Sequence, residues 1–245
     1  VIHHRRGGKG KAPFVKPAEI ESAALRLLTG YAERFKVALA PPVPVDEILE
    51  SHLELDLRLE NLPRLLGKPR VLGATWVTKR RVGVDVSLDP SVYPAMEGRY
   101  RFTLSHEIGH WELHRHLYLV HEGQGSLFVA EEKPSVICRA GEKFDPQEWQ
   151  ANQFAAHLLM PRDMIVQAWQ ARRGELDPYV AADEIADLSA RWCLGEDETP
   201  TVEIARDLAR EFNVSGQAMQ IQLIRMGLIV TSKAQPTLFS GEHAK

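Results

Sequence analysis

The sequence predicts an α+β fold, mainly helical, with a small, partly antiparallel sheet and a short C-terminal helical module. Three observations lead there. One N-terminal stretch has apolar residues at helical spacing. Three short runs then alternate in strand fashion. From Tyr100 onward helical periodicity dominates. Helix, then small sheet, then helices is the order of an α+β chain rather than of repeated βα units.

In the first stretch, Pro17 to Phe35, the residues Ile20, Ala24, Leu27, Leu28, Tyr31 and Phe35 recur as on one helix face. Pro41, Pro42 and Pro44 end that helix, and Asp46 is placed to help cap a short second one. LELDLRL (53–59) reads as a half-buried strand. VLGATWVT (71–78) and RVGVDVSL (81–88) flank Lys79-Arg80 as a hairpin. Helices are expected over RYRFTLSHEIGHWELHRHL (99–117), over 145–160 up to Pro161, and over 161–173. After an acid-rich loop with Pro178, two more are expected at 201–212 and 215–226. The expected organisation is a basic disordered tail (1–16), a main domain (17–175), a helical module (176–230) and a tail (231–245).

Composition narrows the classes. At 245 residues, 44% of them hydrophobic, the chain can bury a sizeable core. A formal net charge of -3 gives no electrostatic reason to bind nucleic acid or an acidic membrane. No apolar run approaches the roughly 20 residues that cross a bilayer, and VIHHRRGGKGKAPFVK has no apolar core of a signal peptide. Cys138 and Cys193 are the only cysteines and lack CxxC spacing, so a reducing cytoplasm is expected.

The informative pattern is His106-Glu107-Ile108-Gly109-His110, an HExxH motif. Histidines at i and i+4 stand one turn apart on a helix face, with Cβ atoms about 5–6 Å apart. Both imidazoles can therefore reach one ion. Glu107 points about 100° away, where it can serve as general base without ligating. The plainer alternative is a solvated polar helix face. Two features oppose it. Phe102, Leu104, Ile108, Trp111 and Leu113 make the helix apolar on its other sides, and buried unpartnered histidines are costly. Gly109 costs about 1 kcal/mol inside a helix relative to Ala, which a close neighbour would explain.

A second helix could be that neighbour. Glu148, Ala151, Asn152, Ala155 and Leu159 share one face. The alanines permit close packing, Glu148 could supply a third ligand, and Asn152 could orient a ligating histidine. By spacing alone, Glu148 reads equally well as an acid favoured at a helix N-terminus.

RFTLSHEIGHWELH followed by EWQANQFAAHLLMP resembles the ImmA/IrrE family of metallo-endopeptidases. PPVPVDEIL, GATW and RRVGVDVSL resemble the family's lead-in, so the likeness runs over roughly residues 17–165 and more weakly beyond. The resemblance implies a zincin-like, gluzincin-type site with His106, His110 and Glu148 as metal ligands and Glu107 as base. It also implies one zinc per chain, with manganese as the other ion considered. The implied substrate is a protein, a helix-turn-helix transcriptional repressor whose cleavage induces stress-response or mobile-element genes. His157 stands where the family often has Glu, on the helix side opposite Glu148.

Several residues stay open at this stage. His114 continues the face of His110 and reads as a surface histidine before a ligand or ligand-orienting group. His116, His121, Tyr100 and Tyr118 are candidates for stabilising an oxyanion. Cys138 could ligate the ion but reads first as a small buried hydrophobe. The segment 117–144 could be a lid or hairpin, and an edge strand of the 71–88 hairpin could take up an extended peptide. Two rival functions remain. Residues 208–229 have the look of a DNA-binding helix-turn-helix, but 201–229 hold three Arg against three acids and lack a basic footprint. The other rival is a non-catalytic binder with a structural metal, which would have no use for Glu107 and would be closed by four ligands.

Overall fold

The computed structural model describes residues 14–119, 134–139, 145–193 and 199–231. Its elements run α1 (Pro17–Phe35), α2 (Val45–Glu47), β1 (Asp56–Glu60), α3 (Leu62–Leu66), β2 (Val71–Trp76), β3 (Arg81–Asp85), α4 (Glu97–Leu119) and β4 (Val136–Arg139). There follow α5 (Pro146–Leu159), α6 (Arg162–Arg173), β5 (Tyr179–Val180), α7 (Ala182–Trp192), α8 (Glu203–Phe212), α9 (Gly216–Arg225) and β6 (Ile229–Val230). The fold is α+β, mostly helical with a small mixed sheet. No helix among the described residues is long and apolar enough to cross a membrane. The described residues form two compact units, one from those up to position 164 with 212–214 and one from 165–211 with those from 215 onward.

In the first unit, α1 starts on Pro17, and the Lys16 N–H donates to Glu19 Oε2 at 3.2 Å. Ile20, Ala24, Leu27, Leu28 and Tyr31 are buried as their spacing predicts. Phe35, at the helix end, is 39% exposed and instead leans its ring on Tyr31 at 5.0 Å. The tail expected over 1–16 lies outside the described residues up to position 13; Phe14 stacks on Trp149 at 6.3 Å. Asp46 does not cap α2. It lies inside that helix, which runs on into a π-helical turn (Ile48–His52), and accepts the Tyr100 hydroxyl at 2.5 Å.

The four-stranded sheet has the order β1-β3-β2-β4. β1 pairs with β3 in parallel, and the 71–85 hairpin is antiparallel. β4, which alternation in the sequence did not mark, pairs antiparallel to β2. Its four residues hold only a short apolar run, and its stability comes from the ladder it completes. Both hairpin strands are therefore interior among the described residues, and β4 and β1 form the edges. The expected edge for peptide addition is thus not on the hairpin.

The sheet has two distinct faces. Leu62, Val71, Ala74 and Trp76 cluster on one, with Leu66 and Ile137 against them. α4 packs along β2 and β3, and α5 packs on both α4 and α1. Helix α4 is buried without interruption from Thr103 to Trp111. Gly109 makes the crossing with α5 possible, because a Cβ there would stand 3.2 Å from both Cα and O of Ala151 and 3.2 Å from Phe154 Cβ.

In the second unit, Gln220 is buried and ties down the entry to α8. Its Oε1 accepts the Val202 N–H at 2.7 Å and its Nε2 donates to the Pro200 carbonyl at 3.0 Å. Trp169 is fully buried, and β5 pairs in parallel with β6. Helix α7 occupies part of the stretch read as an acidic loop. Asp183 and Glu184 lie in its first turn, where the helix dipole favours acids, and Leu188 is its buried residue.

Gly109→Val tests the α4–α5 crossing. Its branched side chain must displace Ala151 backbone, an overpacking cost of about 1–3 kcal/mol. At this chain length that is a fall in Tm of roughly 2–12 °C. A midpoint equal to wild type in a thermal melt would show that the helices are not in contact there.

Candidate metal centre

The α4–α5 crossing brings buried polar side chains of α4 against polar side chains of α5. His106, Glu107, His110 and His114 project from α4, and each is 1% exposed or less. Glu148 and Asn152, one turn apart, come from α5 together with the buried Gln150. His106 Nε2 and His110 Nε2 are 2.9 Å apart. Glu148 straddles them, with Oε2 3.1 Å from His106 Nε2 and Oε1 3.2 Å from His110 Nε2.

The other ring nitrogens are engaged from behind. His106 Nδ1 lies 2.9 Å from Asn152 Oδ1, an atom that only accepts, so Nδ1 carries a hydrogen and Nε2 is the nitrogen left to face Glu148 and His110. Behind His110 the same logic runs through one more ring. Gln150 Oε1 accepts from His114 Nε2 at 2.8 Å, so His114 Nδ1 is the acceptor for His110 Nδ1 at 3.0 Å. His110 Nε2 is then a bare lone pair. Two imidazole Nε2 atoms and a carboxylate converging within about 3 Å call for a positive charge among them, a proton or a metal cation, and two imidazoles with one carboxylate form a donor set that suits zinc. The residues present therefore fit a divalent ion, and the ligand atoms of His106, His110 and Glu148 all lie within 4.8 Å of one another.

The electrostatics agree with that donor set. Burial pushes the His110 imidazole down to about 4, which keeps it neutral. Burial also opposes charge on His106, but Cys138 and Glu148 beside it outweigh that and hold it above the ordinary imidazole range, so without an ion its Nε2 keeps a proton facing Glu148, which a bound cation would replace. Burial would raise the Glu148 carboxyl, yet His106 and His110 beside it hold it far below the carboxylate range. The cluster thus draws positive charge.

Glu107 points away from Glu148 toward the sheet. Its Oε2 accepts the Thr75 hydroxyl at 2.6 Å, while its Oε1 is buried with no hydrogen-bond partner. A Cβ on Gly73 would overlap that Oε1, so the strand needs glycine there. Burial raises the Glu107 carboxyl to about 7, even though His106 and Thr75 both pull it down.

His114 corrects a reading made from sequence. It is not a surface histidine but a buried link between His110 and Gln150. The solvent-facing reading followed from its place near the helix end, and the covering side chain comes from α5. The oxyanion candidates separate. Tyr100 is tied to Asp46, His116 is exposed, and His121 lies outside the described residues. Tyr118 donates to Gln147 Oε1 at 2.9 Å; burial, with Asp145 and Glu148 nearby, raises its phenol to about 12. His157 lines a separate cavity with Glu21, Leu25 and Leu28 of α1. Cys138 lies beside His106 and Glu107. Sequence reasoning missed Gly73, Thr75 and Gln150. Only Gly73 left a signal, as a glycine inside an otherwise apolar strand.

An HExxH helix buried against a second helix that brings a carboxylate to both histidines is an arrangement that could hold a metal ion in a zincin-like fold. The profile of the IrrE N-terminal-like domain, peptidase M78, matches residues 94–223, more than half of the chain, and the chain belongs to that family. The matched span begins after the lead-in segments and runs through the C-terminal helices to α9. No curated protein matches the chain.

His114→Leu removes the ring between His110 and Gln150 and leaves their polar atoms without it in the interior. Each buried group so stranded costs about 1–3 kcal/mol. The expected result is a metal-free protein that melts several degrees lower. A wild-type midpoint would place His114 outside the network.

Proposed function

We propose that the chain is a zinc-dependent endopeptidase in which His106, His110 and Glu148 hold the ion and Glu107 is the general base. The observation that carries this reading is the meeting of two imidazole Nε2 atoms and a carboxylate, with both imidazoles fixed from behind by Asn152 and His114. Zinc suits two nitrogens and one oxygen, whereas manganese favours sites richer in oxygen. When bound there, zinc would supply Lewis acidity, polarising a scissile carbonyl and acidifying a water.

The residues themselves account for the proton. Glu107 Oε1, buried and without a partner, accepts it from the attacking water, while Thr75 holds Oε2 and fixes the plane of the carboxylate. A carboxyl raised to about 7 by burial can both take that proton and return it to the leaving amine near neutral pH. Asn152 and His114 keep the two imidazoles in the tautomer that ligates. The substrate strand would add along β4, the sheet edge beside the centre.

For the substrate, the reading is a helix-turn-helix transcriptional repressor cut at one or a few sites, in the cytoplasm. The support is the likeness of RFTLSHEIGHWELH and EWQANQFAAHLLMP to the ImmA/IrrE pattern. A charge-balanced C-terminal stretch, three Arg against three acids over 201–229, suits protein contacts better than DNA contacts.

Two measurements test the chemistry. Glu107→Gln should keep one zinc per chain and the fold while proteolysis falls by at least 10²-fold, the usual scale of a lost general base. Glu148→Ala should lose the metal itself. Full metal content and activity in Glu148→Ala would remove it from the ligand set. For the substrate, the zinc-loaded protein is incubated with a helix-turn-helix repressor and with casein. Discrete, Glu107-dependent repressor fragments with little casein digestion are expected. Rapid casein digestion with the repressor left intact would overturn the substrate assignment.

A further inference from the structure

Cys138 has no part in the chemistry above, yet it stands at the same centre. On β4, Ile137 packs into the Leu62–Trp76 cluster on one face of the sheet. Side chains alternate along a strand, so Cys138 faces the other way, toward α4. Its partner across the ladder is Gly73, the residue beneath Glu107 Oε1. The Cys138 Sγ, a Glu107 oxygen and a His106 ring nitrogen all lie within 4.8 Å of one another. His106 Nδ1 is engaged by Asn152, so the nitrogen left to this group is Nε2, the same atom that faces His110 and Glu148. Two sets of metal-ligating side chains thus share one histidine nitrogen. A second observation, independent of the thiol, points to a ligand here. Glu107 is fully buried, and its Oε1 has no hydrogen-bond partner and lies over Gly73, directly across the ladder from Cys138.

We propose that Cys138 is a fourth protein ligand, whose thiolate closes the coordination of the ion in the resting protein and gives way before hydrolysis. This rests on the reading of His106, His110 and Glu148 as the metal site. Thiolate is a strong zinc ligand, and four protein ligands make a closed site whereas three leave a position for water. Ligation forms one sulfur–metal bond and releases the thiol proton to solvent. Opening breaks that bond, and the sulfur takes a proton back. No oxidant is involved. The resting enzyme holds its ion tightly and hydrolyses slowly, and its activity depends on moving the one side chain that blocks the open position.

The test uses the full chain loaded with Co2+ in place of zinc, under reducing conditions, as wild type, Cys138→Ser and Cys193→Ser. Visible d–d bands report the histidine–glutamate site. A near-ultraviolet sulfur-to-cobalt charge-transfer band reports a thiolate ligand. Wild type and Cys193→Ser should show both. Cys138→Ser should show d–d bands alone, release its metal to a chelator roughly 10-fold more readily, and, with zinc, cleave protein substrate faster than wild type. If d–d bands occur without a sulfur band in wild type, or the sulfur band survives Cys138→Ser, the fourth ligand is overturned while the metal site stands. Absence of d–d bands in every protein overturns both. Slower cleavage by Cys138→Ser overturns the resting role of the thiol.

Discussion

The centre depends on how closely α5 can approach α4. Gly109 and Ala151 set that distance, since a Cβ on Gly109 would stand 3.2 Å from Ala151 backbone atoms. Everything α5 contributes is counted from that contact. Glu148 lies one turn before Ala151 and reaches both Nε2 atoms, Gln150 meets His114, and Asn152 meets His106. A helix held an ångström farther out would leave those hydrogen bonds too long to fix a tautomer. The roughly 1 kcal/mol that glycine costs a helix is offset by a crossing that positions three polar side chains at once.

The sheet does the corresponding work for Glu107. One oxygen of the carboxylate is fixed by Thr75, and the other lies over Gly73, where a side chain would collide with it. Gly73 and Thr75 are two apart on β2 and so share a face. The strand thus provides a hydrogen-bond donor at one position and empty space at the next. That arrangement separates the two acids chemically. Glu148 is held anionic by the histidines, whereas Glu107 is lifted to about 7 by burial. Two carboxylates around one histidine pair are suited in this way to different tasks.

Much of this was legible in the sequence, for identifiable reasons. The helices α1, α4 and α5 show because apolar spacing and prolines mark them within a residue or two. The HExxH turn, the Gly109 anomaly and the small-residue face of α5 are all local patterns, and together they anticipate the crossing. What sequence reasoning lost depends on contacts between distant segments. His114 looked like a surface residue because its cover, Gln150, lies 36 positions away. β4 has too few residues to show alternation and is defined by the register it adopts on β2. Helix α7 was hidden because the acids that favour its first turn also look like loop composition.

A buried cluster of this kind has a consequence for the chain as a whole. Three imidazoles and the Glu107 carboxylate have been taken out of water along roughly two turns of α4, with Glu148 half-buried at the start of α5, at a desolvation cost. Hydrogen bonds satisfy the outer nitrogens of His106 and His110, while their inner nitrogens and Glu148 face one another within 3.2 Å. A proton on His106 offsets part of that convergence in the metal-free protein, and a bound cation would replace it. Cation binding and folding are therefore coupled in this unit, because the unfolded chain offers no preformed site. The same arrangement that makes the metal-free core costly makes the loaded core tight, and that pairing follows from the geometry of α4 and α5 whatever protein the enzyme cuts.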